Sequence, residues 1–336
     1  MRVVAGKYRG KNLISPKDES VRPTTTRIKE TLFNVLQGYV SGAVVLDLFA
    51  GSGALGIECI SRGASDVTFV DRSKDSISLV YQNLKGIDGN YKVVNADFSS
   101  ALRSSYVSGK KYDLIFLDPP YATNLAELAI ELIIQLDLLA DGGIIVFEHG
   151  AEKTYEIEDA RFKQRTKKMG TVTAEFISRK KVGLMTGSFD PFTRGHEAVL
   201  DEALCDFDEV VVACLINPDK KYTFNEAQRL AICEEVCKYK KGARALLSHE
   251  YAVDIAKEVG ATALIRGIRD DKDRAYEEDM AKYNLEHGYE TVFVTLDHYN
   301  DISSTLVREQ IANGDYRNLP PCAVQLVTSK EFAELK

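Results

Sequence analysis

Two strand–loop–helix openings of the kind that receive a nucleotide lie in this chain, VVLDLFAGSGALGIE from Val44 and KVGLMTGSFDPFTRGH from Lys181. In each, an apolar run ends in a glycine-bearing turn and leads into a helix whose unpaired N–H groups suit polar or anionic ligands. Each opening is followed by its own set of chemically equipped segments. The pairing predicts two catalytic domains joined end to end, and 336 residues are enough for two full cores. The break falls near Arg179-Lys180-Lys181 with no Gly/Ser/Pro-rich linker, giving domains 1–180 and 181–336.

Through the first half, VVLDLFA, SDVTFVD, YKVVNAD, YDLIFLD and GGIIVFEHG alternate with stretches of helical periodicity. Repeated βα units predict a parallel, doubly wound sheet, and the strand-like pattern from Phe162 to Ser178, turning at Gly170, predicts an antiparallel hairpin that closes it. A second series, VGLMTGSF, DEVVVACLIN, ARALLSH, TALIRG and ETVFVTL, again with helices between, predicts a second parallel α/β unit. The fold class is therefore α/β with two Rossmann-like domains.

A formal net charge of −7 speaks against a chain built only to bind nucleic acid, but the charge is unevenly spread. Residues 1–30 hold eight Lys/Arg against three Asp/Glu, and residues 161–181 hold eight against one, so both ends of the first domain are basic. They either form one RNA-facing surface or are two solvated loops. The six cysteines show no CxxC and no zinc-type spacing, so no metal site is expected of them, and Cys233 and Cys237, four apart, suit shared packing. Met1 is followed at once by Arg2, Lys7 and Arg9, and no run nears the length of a membrane span. A cytoplasmic protein that avoids the membrane is the expectation.

LDLFAGSGALG puts Asp47 at a strand end and Gly51 and Gly53 where backbone approaches a ligand or turns with positive φ. Asp71 ends the next strand, where a carboxylate accepts ribose hydroxyls, and Asp97 ends the third, within reach of an adenine amino group or solvent. The fourth ends in Asp118-Pro119-Pro120-Tyr121. The prolines fix φ and remove two donors, leaving the Asp118 carboxylate and the Pro119 carbonyl as acceptors. Two acceptors converging on an exocyclic NH₂ turn its lone pair outward, and Tyr121 stacks on the base that carries it. That arrangement methylates an aromatic amine by in-line attack, with no general base demanded.

With RVVAGKYRGKNL, RPTTTRIKETLFN, LDLFAGSGALGIE, FVD, NAD and LDPPY, residues 1–180 resemble the bacterial small-subunit ribosomal-RNA guanine-N2 methyltransferases, an S-adenosylmethionine-dependent family. The resemblance implies methyl transfer to a guanine N2 of 16S ribosomal RNA, free or in a small-subunit precursor. It implies Asp118, Pro119 and Tyr121 as the catalytic group and Asp47, Gly51, Gly53, Asp71 and Asp97 around the cofactor. Arg22 and Arg27 would contact RNA phosphates, and Thr24 and Glu30 would border the cofactor. In the same segment Ile28, Leu32 and Phe33 suit packing on the sheet.

In TGSFDPFTRGH, a loop hydroxyl (Ser188), a helix N-terminus and an imidazole (His196) share one turn, which suits polyphosphate oxygens. NPDKK from Asn217, LIRGIR from Leu264 and ISST from Ile302 add lysine, arginine and hydroxyl donors at later strand ends, a set for neutralising a transferring phosphoryl group. GSFDP, TxGH and ISST are shared among nucleotidyltransferases of the HIGH superfamily. NPDKKYTF and LIRGIRDDKDRAYEEDMAKYN make residues 182 to about 330 similar to bacterial phosphopantetheine adenylyltransferases.

That resemblance implies adenylyl transfer from ATP to 4′-phosphopantetheine, with Mg²⁺ bridging phosphates, His196 and Lys220 as catalytic groups, and a homo-oligomer built through this domain. Ser188, Lys220, Ala252 and Arg266 would contact phosphopantetheine. Ser188, Phe189, His196, Gly267, Arg269, Glu277, Tyr299, Ser303, Ser304 and Thr305 would hold ATP. The chain departs from the family at Tyr251-Ala252, where two bulky apolar residues are usual, and at Arg274-Ala275, where Phe-Glu is usual. Two other readings fit the residues: a different nucleic-acid amine methylase with a nicotinamide-mononucleotide-type transferase, or a second domain that only senses coenzyme A or ATP.

Overall fold

A computed structural model describes residues 1–15, 26–119, 123–151, 154–269, 271–295 and 301–335. The chain divides into two compact units, Met1–Arg179 and Lys180–Lys336. Both are doubly wound α/β.

In the first unit the apolar runs become β1 (Val44–Asp47), β2 (Asp66–Asp71), β3 (Tyr91–Asn95), β4 (Tyr112–Leu117) and β5 (Leu139–Gly150), and the predicted hairpin becomes β6 (Phe162–Met169) and β7 (Val172–Arg179). They form one sheet in the order β3-β2-β1-β4-β5-β7-β6. The first five strands are parallel, and β7 runs antiparallel to both neighbours. Helices α1 (Thr26–Val35), α2 (Ala54–Ser61), α3 (Lys74–Leu84), α4 (Phe98–Val107) and α5 (Leu125–Gln135) cover the sheet.

Because successive side chains of a strand point to opposite faces, the central strands feed two cores. Val45, Phe69, Leu114, Phe116, Ile144 and Val146 meet Leu32 and Phe33 of α1, Leu36 just after it, and Leu55 and Ile57 of α2. Leu46, Ile115, Leu117, Ile145 and Phe147 meet Leu102 of α4 and Ala129, Ile130 and Ile133 of α5. Burial on both faces is why these strands read as continuous apolar runs rather than alternating ones.

Beneath α1 lies an ionic cluster that periodicity does not foretell. Lys29 and Glu58 are fully buried and pair at 2.9 Å, and Arg62 reaches the other Glu58 oxygen at 2.9 Å. The Glu58 carboxylate also accepts the Val4 and Ala5 amides, while the Lys29 ammonium donates to the Arg2 carbonyl at 2.6 Å. Burial pulls Glu58 upward, but the Val4 amide, Lys29 and Arg62 outweigh it and hold the carboxyl below its usual range. The N-terminal segment, closed by an antiparallel bridge between Arg2 and Asn12, is thereby fastened to α1 and α2. Gly6 belongs to the same seam: at φ 82° its missing Cβ would lie 1.8 Å from the Ser61 carbonyl, so only glycine fits.

The second unit contains β8 (Val182–Gly187), β9 (Glu209–Leu215), β10 (Ala243–Ser248), β11 (Ala263–Ile268) and β12 (Glu290–Thr295), all parallel, in the order β10-β9-β8-β11-β12. Helices α6 (Arg194–Asp206), α7 (Glu226–Lys238), α8 (Ala252–Val259), α9 (Asp271–Glu286) and α10 (Ser304–Ala312) intervene, and α11 (Pro321–Val327) and α12 (Lys330–Glu334) follow. Cys233 and Cys237 are buried with Ile232 and Val236 on the core stripe of α7, the shared packing their spacing suggests. Among the described residues no helix is long and apolar enough to cross a membrane.

Candidate active sites

In both sheets the strand order reverses beside the first strand, between β1 and β4 and between β8 and β11. Ligands of open α/β sheets dock outside the carboxyl ends of the strands at such a switch point.

At the first switch point the loop after β1 carries Gly51 at φ 53° and Gly53 at φ 75°, the latter as N-cap of α2. A side chain on Gly51 would meet nothing within 4 Å, so this turn faces open space as a cradle should. Asp71 supports it, accepting the Gly51 amide at 2.9 Å and the Ser73 amide at 2.8 Å. Asp118 and Pro119 follow β4 directly, with Asp118 half-buried and Pro119 buried. Tyr121, Arg22 and Thr24 lie outside the described residues. Arg27 and Glu30 are exposed on α1; Ile28 is only half-buried, and Leu32 and Phe33 are fully buried.

Two of the expected cofactor carboxylates also make structural bonds. Asp47 is 2% exposed and accepts the Gly56 amide at 3.0 Å, bracing α2 from beneath the loop. Its pKa is pushed up to about 7 by burial, against the Gly56 amide and with help from Asp118 and Asp71. Asp97 is the N-cap of α4: its Oδ1 accepts the Ser100 amide at 3.0 Å and the Ser99 hydroxyl at 2.8 Å. Those bonds from Ser100 and Ser99 hold it far below the ordinary carboxylate range.

Sequence reasoning passed over Glu148, at the end of β5. It is 2% exposed, its Oε1 has no hydrogen-bond partner, and burial, then Asp118 and Asp47, push its pKa well up. An ionisable residue closing an otherwise apolar strand was the available signal. The open Gly51 turn, the Asp71 acceptor and the unsatisfied buried carboxyl fit the nucleoside and sulfonium of S-adenosylmethionine. On the same side of the sheet, a cavity of about 430 Å³ is lined by Thr31, Asn34 and Val35 of α1 and by Arg165 and Lys167 of β6.

At the second switch point the loop Ser188–Phe192 leaves β8 and enters α6 through a capping box. Thr193 accepts the His196 amide, and the His196 Nδ1 accepts the Thr193 amide at 3.0 Å. Nδ1 is thus an acceptor, so the neutral ring carries its proton on Nε2. Burial, then the Arg269 charge, lowers the His196 pKa to about 4, which keeps the ring neutral at physiological pH. Phe189 has φ 43° and a ring only 3% exposed, packed 5.1 Å from both Phe192 and His196. The Phe189 ring is thus part of the core, and it is the backbone of this residue that the turn presents.

The late ISST motif is brought to this loop. Ser304 donates to the Pro191 carbonyl at 3.2 Å, Ser303 caps α10, and Arg308 donates to the Asp190 carbonyl at 2.7 Å and to Thr305 at 2.9 Å. Asp190 accepts the Thr223 and Phe224 amides, each at 2.9 Å, joining the loop after β9 to the same place. Arg266 donates to the Thr186 carbonyl at 2.9 Å and stands 3.2 Å from Glu277, so two residues expected on different ligands face each other here. Gly267 is where α6 crosses β11, since a Cβ there would meet Val199 at 2.7 Å. Lys220 is exposed on its turn and has no side-chain hydrogen bond or ion pair among the described residues. Ala252 begins α8, and Tyr251 before it is 76% exposed. Tyr299 lies outside the described residues.

Arg229 was also missed. It is fully buried, donates to the Ser188 carbonyl at 2.6 Å and the Leu215 carbonyl at 3.1 Å, and lies 3.8 Å from the Tyr222 ring centroid. An arginine in register with the apolar stripe Ile232, Cys233 and Val236 was the signal. Among the described residues no group of three or more His, Cys, Asp or Glu side chains is arranged to hold a metal ion.

Each unit is thus a doubly wound α/β fold with a candidate ligand site at its switch point. The chain belongs to two families, that described as Conserved hypothetical protein 95 over residues 1–178 and that described as Cytidylyltransferase-like over residues 184–310. Over its first half it is 35% identical to ribosomal RNA small subunit methyltransferase D of Escherichia coli K12, covering 54% of this chain and 92% of that protein. Over its second half it is 38% identical to phosphopantetheine adenylyltransferase of Lacticaseibacillus casei, covering 44% of this chain and 90% of that protein. The Porphyromonas gingivalis phosphopantetheine adenylyltransferase is 39% identical over 40% of this chain and 90% of its own length.

Proposed function

We propose that the chain is a bifunctional enzyme. Its first unit transfers methyl from S-adenosylmethionine to N2 of a guanine in 16S ribosomal RNA. Its second transfers adenylyl reversibly from ATP to 4′-phosphopantetheine, giving dephospho-coenzyme A and pyrophosphate.

The observation that carries the first activity is Asp118-Pro119 at the switch point beside the open Gly51 turn. The Asp118 carboxylate and the Pro119 carbonyl accept the two hydrogens of the guanine amine and turn its lone pair toward the methyl group. The basic cavity between α1 and β6 supports an RNA substrate: the register sets Lys167, Ala174 and Glu148 in one row across the sheet. Continuing that row reaches Asp118, about 14 Å from Lys167 at the usual strand spacing.

For the second activity, the carrying observation is the bond from the Thr193 amide to the His196 Nδ1. It leaves a neutral imidazole whose Nε2–H donates to a phosphate oxygen as charge builds at the α-phosphorus. Arg266, Lys220, Arg269 and the α10 N-terminus neutralise the remaining charge. No covalent intermediate is needed.

The test is pyrophosphate release from Mg-ATP with 4′-phosphopantetheine, beside nicotinamide mononucleotide and glycerol phosphate, together with methyl incorporation into small subunits lacking the modification. Release with phosphopantetheine alone and label on a guanine N2 are expected. Release with another acceptor, or label on another base, overturns the corresponding half.

A further inference from the structure

Among the described residues the largest fully buried side chain is a cation, Arg229, on the core stripe of α7. It lies where two parallel strands part. The β8–β9 register pairs Gly187 with Cys214, so one residue later Ser188 stands opposite Leu215. From there Ser188 enters the turn before α6, and Leu215 leads to the turn before α7. The Arg229 Nη1 donates to both carbonyls, at 2.6 Å to Ser188 and at 3.1 Å to Leu215. One guanidinium thus holds together the exits of two strands, where buried backbone acceptors need a donor.

The same guanidinium lies 3.8 Å from the centroid of the Tyr222 ring. An aromatic face offsets part of the cost of burying a charge. Tyr222 in turn closes the turn after β9. Its hydroxyl accepts the Asn217 amide at 2.9 Å, the Asn217 Oδ1 accepts the Asp219 amide at 2.9 Å, and the Asn217 carbonyl accepts the Lys220 amide at 3.1 Å. Contacts therefore run unbroken from Ser188 through Arg229 and Tyr222 to the backbone of Lys220. The Arg229 Nε and Nη2 have no hydrogen-bond partner. A buried cation with unmet donors stabilises a core less than an apolar side chain of its volume would. Packing alone gives no reason for an arginine here, whereas its place between two ligand-facing turns does.

We propose that Arg229 is a positioning residue for adenylyl transfer: it fixes the turn that carries Lys220 against the turn that carries Ser188, so that the acceptor phosphate meets the α-phosphorus in line. The inference rests on the adenylyltransferase reading of the second unit. Arg229 is fully buried and acts through the Ser188 carbonyl and the Tyr222 ring. Phosphoryl transfer is sensitive to such placement, because positioning and charge stabilisation supply nearly all of its catalysis. Asp190 joins the same two turns a second time, through the Thr223 and Phe224 amides. Those bonds fall after Tyr222 in the chain, so loss of the Arg229 tether loosens the Lys220 end and leaves the entry to α7 in place.

The experiment uses the full-length protein and two readouts: hydrogen exchange of the Lys220 amide without substrates, and pyrophosphate release with Mg-ATP and 4′-phosphopantetheine varied in turn. Tyr222 is half-buried, so Tyr222→Leu removes the ring without opening the core. It should speed Lys220 exchange and raise the KM for phosphopantetheine, each about tenfold, with the KM for ATP unchanged. Tyr222→Phe keeps the ring over the guanidinium and should restore most of the acceptor KM. Arg229→Lys keeps the charge but cannot bridge two carbonyls and stack at once. It should repeat the acceptor effect and lower kcat as well, because Ser188 is no longer held. A wild-type acceptor KM in Tyr222→Leu overturns the inference, and so does an equal rise in both KM values, the mark of a residue that only supports the fold. Equal loss in Tyr222→Phe and Tyr222→Leu overturns it too. If the wild type releases no pyrophosphate with phosphopantetheine, the adenylyltransferase reading fails, and exchange still decides the tether: faster in Tyr222→Leu supports it, equal to wild type overturns it.

Discussion

At the ends of β1, β4 and β5 the first unit gathers the carboxyl groups of Asp47, Asp118 and Glu148. At the ends of β8 and β11 the second gathers Arg266, a histidine whose Nε2–H is free of its capping bond, and the nearby Arg269 charge. Both sheets place these groups at the reversal of the same strand order, outward from the central strand. The shared frame offers each unit a candidate ligand site in the same place, and the described ionisable groups there differ in kind. An acidic site suits a sulfonium donor and an amine acceptor, and a site of arginine and imidazole donors suits polyphosphate. The helix-cap chemistry differs in the same sense. Gly53 caps α2 with no side-chain bond, whereas Thr193 and His196 close a capping box at α6.

The sharpest way to break this division is to remove one charge at a time and assay both activities on the same protein. Asp118→Ala should lower methyl incorporation by about a hundredfold or more and leave pyrophosphate release unchanged; equal loss of both in a folded protein would end the claim of independent sites. His196→Ala should give the mirror result, a fall of about a hundredfold or more in adenylyl transfer with methylation intact.

The buried Lys29–Glu58 pair tests whether the units also unfold independently. Glu58→Ala strands the Lys29 ammonium and two amides, and should cost about 3–5 kcal/mol. A thermal scan should show the loss on a transition reported by methyltransferase inactivation and not by adenylyl transfer.

Smaller effects sharpen the electrostatic contrast. Reversing Arg165 and Lys167 to glutamate should weaken RNA binding about tenfold and reduce its salt dependence by about one unit of slope per lost phosphate contact, with cofactor affinity unchanged. For His196, a folded pKa of about 4 lies below the usual histidine value. Its contribution to stability is therefore present at neutral pH and lost as pH falls from about 6.5 through about 4. Unfolding of the second unit should become easier over that range, and adenylyl transfer should show no acid limb from His196 above about pH 5. An acid limb near pH 6.5 that disappears in His196→Asn would contradict the neutral-donor role.

Much of each candidate site was legible because its residues follow strands closely in the chain. Asp71, Asp118 and Pro119 sit at or just after strand ends, and Ser188 and His196 in one strand-to-helix turn, so local pattern placed them together. Glu148 was not legible, since an isolated glutamate after GGIIVF reads as the end of a strand; only the register of β4 against β5 sets it beside Asp118. Asp97 and Phe189 illustrate the converse. Their chain positions match a binding role, yet three-dimensional packing commits the Asp97 Oδ1 to a helix cap and the Phe189 ring to the core.

The sequence by itself determined the two α/β units and the glycine turns and caps that follow their first strands, because hydrophobic periodicity, glycine turns and caps act over a few neighbouring residues. Only the tertiary structure decided which ionisable groups are buried together. Glu58 against Lys29 and Arg229 under the Ser188 carbonyl are contacts between elements distant in the chain, and the buried Glu148 feels the charges of Asp118 and Asp47 from neighbouring strands. Protonation state and charge complementarity follow from burial and from partners across the sheet, and neither is encoded at a single position.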